Sequence, residues 1–147
     1  MNAVSLFKNC GSFESQVGKV TRSVNQGMKV RVYRNLNKPE FYSILAREGE
    51  HKGKVVGYAK CVQLDNATFI VSEKSRQRVV RDQRRNVHAF VEGIITDAFD
   101  AIQVQPGNEY ITYNPYARGE FFNPETQAAQ TEGADQVLIQ EAGVYIQ

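Results

Sequence analysis

Short runs of alternating apolar and polar residues limit most strongly how this chain can fold. Val30 and Val32 alternate with Lys29, Arg31 and Tyr33. In an extended strand this spacing places the valines on one face and the basic and aromatic side chains on the other. Runs of strand-like composition predict an antiparallel, strongly curved and barrel-like sheet with strands at 28–36, 41–46, 55–64, 68–71 and 87–96.

Turn and helix signals complete this picture. Asp65-Asn66-Ala67 separates two apolar runs and predicts that residues 55–71 form a hairpin. Val17, Val20 and Val24 are spaced three and four apart, as on one face of a short amphipathic helix. The whole pattern predicts the α+β fold class, with one further helix described next.

A basic helix is expected over residues 73–85. Ser72 supplies an N-cap, and Glu73 lies in the first turn, where the helix dipole favours an acid. Four cations are spaced four, three and four apart, which stacks them in one stripe on a helix. These cations, expected to contact phosphates, are Lys74, Arg78, Arg81 and Arg85. A solvated helix face or an acidic protein partner would explain the same stripe.

Charge divides the chain into two parts. Residues 1–96 contain 17 Lys and Arg against 8 Asp and Glu, whereas residues 97–147 contain one base, Arg118, against 8 acids. This asymmetry predicts a basic body, 1–96, and an acidic aromatic arm, 97–147, that packs on the body or on a neighbouring subunit. A single domain is favoured over two, because 51 residues alone would make a marginal core. The arm could neutralise the basic face, or the two faces could serve separate partners.

The favoured function is non-catalytic binding of nucleic acid through basic side chains. Arg31 and Arg34 are secondary candidates for phosphate contacts, and Tyr33 is a candidate platform for stacking a base. The alternative is a structural or interaction protein that uses the arm in a homo-oligomer. Its expected interface residues are Tyr110, Tyr113, Tyr116, Phe121 and Phe122.

Catalytic and metal-binding signals are weak. The two histidines, His51 and His88, and the two cysteines, Cys10 and Cys61, show no metal-ligand spacing, and no nucleotide-binding or hydrolase motif occurs. We therefore expect no cofactor, no metal and no enzyme activity. Since no apolar run is long enough for a membrane span or a signal peptide, we expect no membrane partner and a cytoplasmic location.

One resemblance supports a phage setting. It rests on Tyr33-Arg34-Asn35-Leu36, on Gly53-Lys54-Val55-Val56-Gly57-Tyr58-Ala59, on Val71-Ser72-Glu73 and on Asn86-Val87-His88-Ala89-Phe90-Val91-Glu92-Gly93. Across residues 33–93 the chain resembles small proteins of bacteriophages and bacterial mobile elements. The resemblance implies a role in phage or mobile-element biology, with the host bacterial cytoplasm as the expected location, and it assigns no activity or site residue. In that setting the structural alternative would be a virion component or an inhibitor of a host protein.

Overall fold

Eleven strands make up the described part of the chain. The computed structural model describes residues 5–8, 10–35, 37–71, 77, 81, 89–103, 108–114, 119–141 and 143–147. The strands are β1 (Ser12–Val17), β2 (Val20–Asn25), β3 (Lys29–Arg34), β4 (Tyr42–Ala46), β5 (Val55–Ala59), β6 (Cys61–Val71), β7 (Ala89–Phe99), β8 (Glu109–Tyr113), β9 (Phe121–Phe122), β10 (Gly133–Gln140) and β11 (Gly143–Ile146).

Nine of these strands form one antiparallel sheet, and β1 and β2 form a separate hairpin. The order in the sheet is β5-β4-β3-β7-β6-β10-β11-β8-β9. The strands of the acidic third therefore extend the same sheet: β10 pairs with β6, and β11 and β8 follow. In the sheet order these C-terminal strands follow β6, and the basic strand β3 lies on the other side of β6, beyond β7.

The connection at Lys60 shows that the sheet is strongly curved. Only Lys60 separates the end of β5 from the start of β6, yet three strands lie between β5 and β6 in the sheet. Two residues that flank a single connecting residue are at most about 7.6 Å apart. The end of β5 must therefore meet the start of β6, and the five strands from β5 to β6 in the sheet order curl into a barrel-like wall.

The apolar core fills the inner face of this wall. Val30 and Val32 of β3 and Ile44 of β4 are almost completely buried, as are Leu64 and Ile95 on β6 and β7. The β1–β2 hairpin lies over the inner face at β5, where a Cβ atom on Gly57 would come within 2.6 Å of Val24.

Side chains of the hairpin also occupy the outer edge of β5. Arg22 donates to the carbonyl of Val55, and the amide of Tyr58 donates to the Ser15 hydroxyl. These contacts satisfy backbone groups that an edge strand would otherwise present to another chain.

The α+β prediction is wrong, because the described part of the chain is nearly all β: 61% of its residues are in strands and 2% are helical. The helix expected around Val17, Val20 and Val24 is the β1–β2 hairpin, in which Val17 and Val20 are direct partners across the turn. A two-residue turn places residues that are three positions apart opposite each other. The spacing of Val17 and Val20, which also occurs on a helix face, therefore arises here from the turn of the hairpin.

The basic helix lies almost entirely outside the described residues. Within 73–85 only Gln77 and Arg81 are described; both are exposed and locally helical, and no helix element is described around them.

The hairpin expected over 55–71 is also wrong. Strand β6 continues through Asp65 to Ala67, and its pairing with β7 shifts there. Asn66 has a φ of 51°, a left-handed conformation that Asn tolerates in a bulge. The residues that indicated a turn therefore form a bulge within one long strand.

Candidate functional site

Two tyrosines are aligned across three strands on the outer face of the sheet. Tyr33 on β3 pairs with Ser43 on β4, and Ser43 pairs with Tyr58 on β5. Directly paired residues lie on the same face, and Tyr33 and Tyr58 are attached about 10 Å apart because each strand spacing is about 4.8 Å. Both rings are partly exposed. They form an aromatic row above the small side chain of Ser43.

Arg31 extends this outer face with charge. It follows the same alternation as Tyr33, and its guanidinium lies 4.0 Å from the centre of the Phe90 ring on β7. Glu92 is paired with Arg31 and accepts hydrogen bonds at Oε2 from Nε and Nη2 of Arg31, both at 2.8 Å. Arg47 approaches the same oxygen with its Nε at 3.1 Å. Two guanidinium groups therefore share one nearly buried carboxylate.

The environment of Tyr33 connects the aromatic row to the arginines. Burial raises the pKa of the Tyr33 hydroxyl, the neighbouring Tyr58 raises it further, and the Arg31 guanidinium opposes both effects. Tyr33 is therefore a neutral phenol at physiological pH, able to stack without electrostatic repulsion from a phosphate chain.

A cleft of about 370 Å³ opens beside the aromatic row. It is lined by Gln16, Gly18, Asn35, Asn37, Lys38, Phe41 and Tyr58. Tyr58 thus belongs to both the row and the cleft. Lys60 contributes a further charge here, because its Nζ lies 5.5 Å from the centre of the Phe41 ring.

Arg34 is separated from the other predicted phosphate contacts. Its strand position pairs with Tyr42, a buried residue of the inner face, and its Nε is buried without a hydrogen-bond partner among the described residues. The structure therefore groups Arg31 with Tyr33 and places Arg34 on the opposite side of β3.

Most of the predicted basic stripe cannot be placed. Lys74, Arg78 and Arg85 lie outside the described residues, and Arg81 is exposed. The flanking residues Val71 and Ala89 are direct partners at the end of the β6–β7 pair. The stripe stays a prediction.

The aromatic residues of the C-terminal third pack mainly within this chain. Phe121 and Phe122 are buried, and Phe121 lies 5.3 Å from Phe69 and 5.8 Å from Tyr113 between ring centres. Tyr110 lies 5.1 Å from Tyr145. Tyr116 is outside the described residues. A role for these residues in an oligomer stays a prediction.

The other reactive groups are dispersed. Cys61 is buried, which raises the pKa of its thiol to about 12, so the thiol stays protonated and inert as a nucleophile. His51 lines a second cleft of about 380 Å³ with Glu48 and Glu50, and His88 is not described. In the part of the chain that is described, no three His, Cys, Asp or Glu side chains are grouped to hold a metal. The absence of enzyme activity stays a prediction.

Sequence reasoning missed several residues of this surface. One unbroken strand over 55–64 would place Tyr58 on the same face as Val62 and Leu64. The structure instead ends β5 at Ala59 and begins β6 at Cys61, and Tyr58 lies on the outer face with Ser43. Lys60, two positions after Tyr58, is the polar residue that could have indicated the break between the two strands. Nothing in the sequence shows that Glu92 meets Arg31, because they are 61 positions apart.

Comparisons with known proteins identify relatives over most of the chain. A family model described as the Mycobacterium phage L5 gene 82 protein matches residues 23–147. The gene 82 protein of Mycobacterium phage L5 is 34% identical over 122 residues, which cover 80% of this chain and 94% of that protein. No solved structure matches. The match continues beyond residues 33–93 through the acidic third, and it confirms the resemblance to phage proteins.

Among the described residues, no helix is long and apolar enough to cross a membrane. The location of the protein in the host cytoplasm stays a prediction.

Proposed function

Because the chain belongs to the family of the mycobacteriophage L5 gene 82 protein, we propose that it is a non-catalytic phage protein that binds single-stranded nucleic acid on the outer face of its sheet. The observation that carries this proposal is the alignment of Tyr33 and Tyr58 on one face, beside Arg31. Aromatic side chains on a sheet surface stack unpaired bases, and neighbouring cations hold the backbone.

The chemistry of the face favours a single strand over a duplex. Stacking requires bases whose faces are accessible, and bases inside a duplex are already stacked on each other. The two tyrosines of the aromatic row are attached to regular strands about 10 Å apart, so the row offers two stacking surfaces to unpaired bases. The Arg31 guanidinium already stacks on Phe90, and the same planar group can stack on a base or bind a phosphate.

The positive charge of the face also favours nucleic acid as the ligand. Arg31 and Arg47 share the single carboxylate of Glu92, so this group keeps a net positive charge. Lys60 adds a cation at the Phe41 end of the face. Phosphates that replace counterions at such sites contribute binding free energy that decreases with salt.

Fluorescence anisotropy with labelled single-stranded DNA and RNA of about twelve nucleotides tests the proposal. We expect Tyr33→Leu and Tyr58→Leu each to weaken binding about tenfold, since each removes one stacking contact worth about 1–3 kcal/mol. A duplex of the same sequence should bind more weakly than the single strand.

Tyr145→Leu is the matched control. Tyr145 is an aromatic residue of β11 that pairs with Tyr110 in the acidic part of the sheet, so its loss should leave the affinity unchanged. Equal losses for all three variants, or no binding of any single strand at low salt, would overturn the proposal.

A further inference from the structure

The cleft beside Tyr58 has the components of a pocket for one base. Phe41 lies on its wall directly before β4, and the Asn35 amide donates to the Phe41 carbonyl at 3.1 Å. Phe41 and Tyr58 thus offer two aromatic surfaces in one cleft. Its volume of about 370 Å³ is in the range of small-molecule sites.

The loop that closes the cleft is fixed by its own side chain. The Oδ1 atom of Asn35 accepts hydrogen bonds from the amides of Asn37 at 2.9 Å and Lys38 at 3.2 Å. This turn holds the side chains of Asn37 and Lys38 at the cleft and leaves the amino group of Asn35 to donate. A side-chain amide such as that of Asn37 can read a base edge, because it offers a donor and an acceptor side by side, whereas Asn35 can contribute its donor.

Positive charge lies at two sides of the same cleft. Lys38 is exposed on its rim, and Lys60 lies beside Phe41. The second cleft of similar size differs in this respect, because Glu48 and Glu50 line it together with Arg22. An anionic nucleotide is therefore suited to the first cleft and disfavoured by the second.

We propose that the cleft formed by Phe41, Tyr58, Asn35 and Asn37 binds one nucleobase of the strand and selects it by its edge, with Lys38 and Lys60 beside the phosphate. This inference rests on the proposed function and deepens it: the aromatic row supplies affinity without sequence preference, and the cleft supplies preference. The strand then runs from the row into the cleft across Tyr58.

The test compares wild-type affinity for dA, dC and dT oligonucleotides of about twelve nucleotides. We expect the wild type to prefer one of them by about fivefold or more, as for a base read by hydrogen bonds. Phe41→Leu and Asn37→Ala should reduce that preference to less than about twofold. Asn25→Ala, in the second cleft, is the matched control and should retain the full preference.

Failure of this inference is distinguishable from failure of the proposed function. If the wild type binds all strands but Phe41→Leu and Asn37→Ala retain its preference, or if it has no preference, the cleft does not read a base. If no oligonucleotide binds, the proposed function fails. Titration with the nucleoside monophosphates AMP, CMP and TMP then tests by itself whether the cleft binds a base. Amide NMR shifts confined to Gly18, Asn37 and Lys38 would support a base pocket, and their absence would overturn it.

Discussion

Replacement of Glu92 by Gln should change stability and binding in opposite directions. The substitution retains the shape of the side chain but removes the charge that Arg31 and Arg47 share. The Glu92 side chain is 11% exposed, whereas those of Arg31 and Arg47 are 37% and 42% exposed. The carboxylate is thus the desolvated member of the group, and the two guanidinium groups remain in contact with water.

The loss of stability follows from these exposures. Hydrogen bonds to a buried charged group contribute about 1.5–3 kcal/mol, but ion pairs with exposed partners contribute about 1 kcal/mol or less because water screens them. Since both arginines are more than a third exposed, we expect Glu92→Gln to lower the free energy of unfolding by about 1 kcal/mol, the upper end of the range for ion pairs screened by water.

Binding to single strands should become tighter and more sensitive to salt. The substitution frees two guanidinium groups on the proposed binding face, and each phosphate neutralised on a single strand contributes about 0.7 to the slope of log affinity against log salt. The slope should therefore steepen by about 0.7 to 1.4. Urea unfolding measures the stability, and anisotropy titrations across a range of salt concentrations measure the slope.

Glu50→Gln is the control, because it removes the same charge from an exposed residue of the second cleft and leaves Arg31 and Arg47 paired. It should leave stability and slope close to wild type. Weaker binding of a folded Glu92→Gln protein at low salt would refute the reasoning, as would an equal steepening in Glu50→Gln.

Three further predictions concern the fold and its thiols. A Cβ atom on Gly133 would lie 1.9 Å from the Ala67 carbonyl oxygen, so Gly133→Ala should lower the free energy of unfolding in urea by about 3 kcal/mol. Gly53→Ala is the control and should lower it by about 1 kcal/mol, because Gly53 has open space around it but a φ of 85°. Equal losses of stability in the two variants would contradict this prediction. Burial raises the pKa of the Cys61 thiol from 9.0 to about 12, so the unfolded state loses its thiol proton first. The free energy of unfolding should therefore fall as pH rises above 9, with about 1.4 kcal/mol of the loss at about pH 10 due to Cys61. Cys61→Ala should lose that part of the dependence and retain the part due to tyrosines such as Tyr33, whose pKa is also raised. A thiol reagent should label exposed Cys10 in the native protein and buried Cys61 only after denaturation, and rapid native labelling of both would show that the core around Cys61 opens.

The regular strands were predictable because their signal is local. The strands expected at 28–36, 41–46 and 87–96 are observed as β3, β4 and β7, since alternation along an extended chain directly records which side chains face the core. The same alternation placed Arg31 and Tyr33 together on the outer face. The part of the candidate site on β3 was therefore predictable from the six residues of that strand.

Local sequence patterns that occur both in turns and at the start of helices led to incorrect predictions. Asn123-Pro124-Glu125 predicts a short helix toward Ala129, and Asn123 does accept hydrogen bonds from the amides of Glu125 and Thr126. The chain nevertheless turns after one such cap, because Asn123 and Ala128 are joined by a backbone hydrogen bond that returns the chain to β9. A cap records how a helix would begin and contains no information on whether the chain continues it.

The amino-acid sequence by itself determined the strand-forming segments, the face on which Arg31 and Tyr33 lie, the uneven distribution of charge and the phage relationship. Only the tertiary structure decided that the acidic third joins the same sheet, that Glu92 lies between two arginines, and that Tyr58 and Phe41 meet Tyr33 at one surface. The physical reason is distance along the chain: alternation is set by neighbouring residues, whereas strand order, a bulge and a shared carboxylate depend on which remote segments bury their apolar faces together.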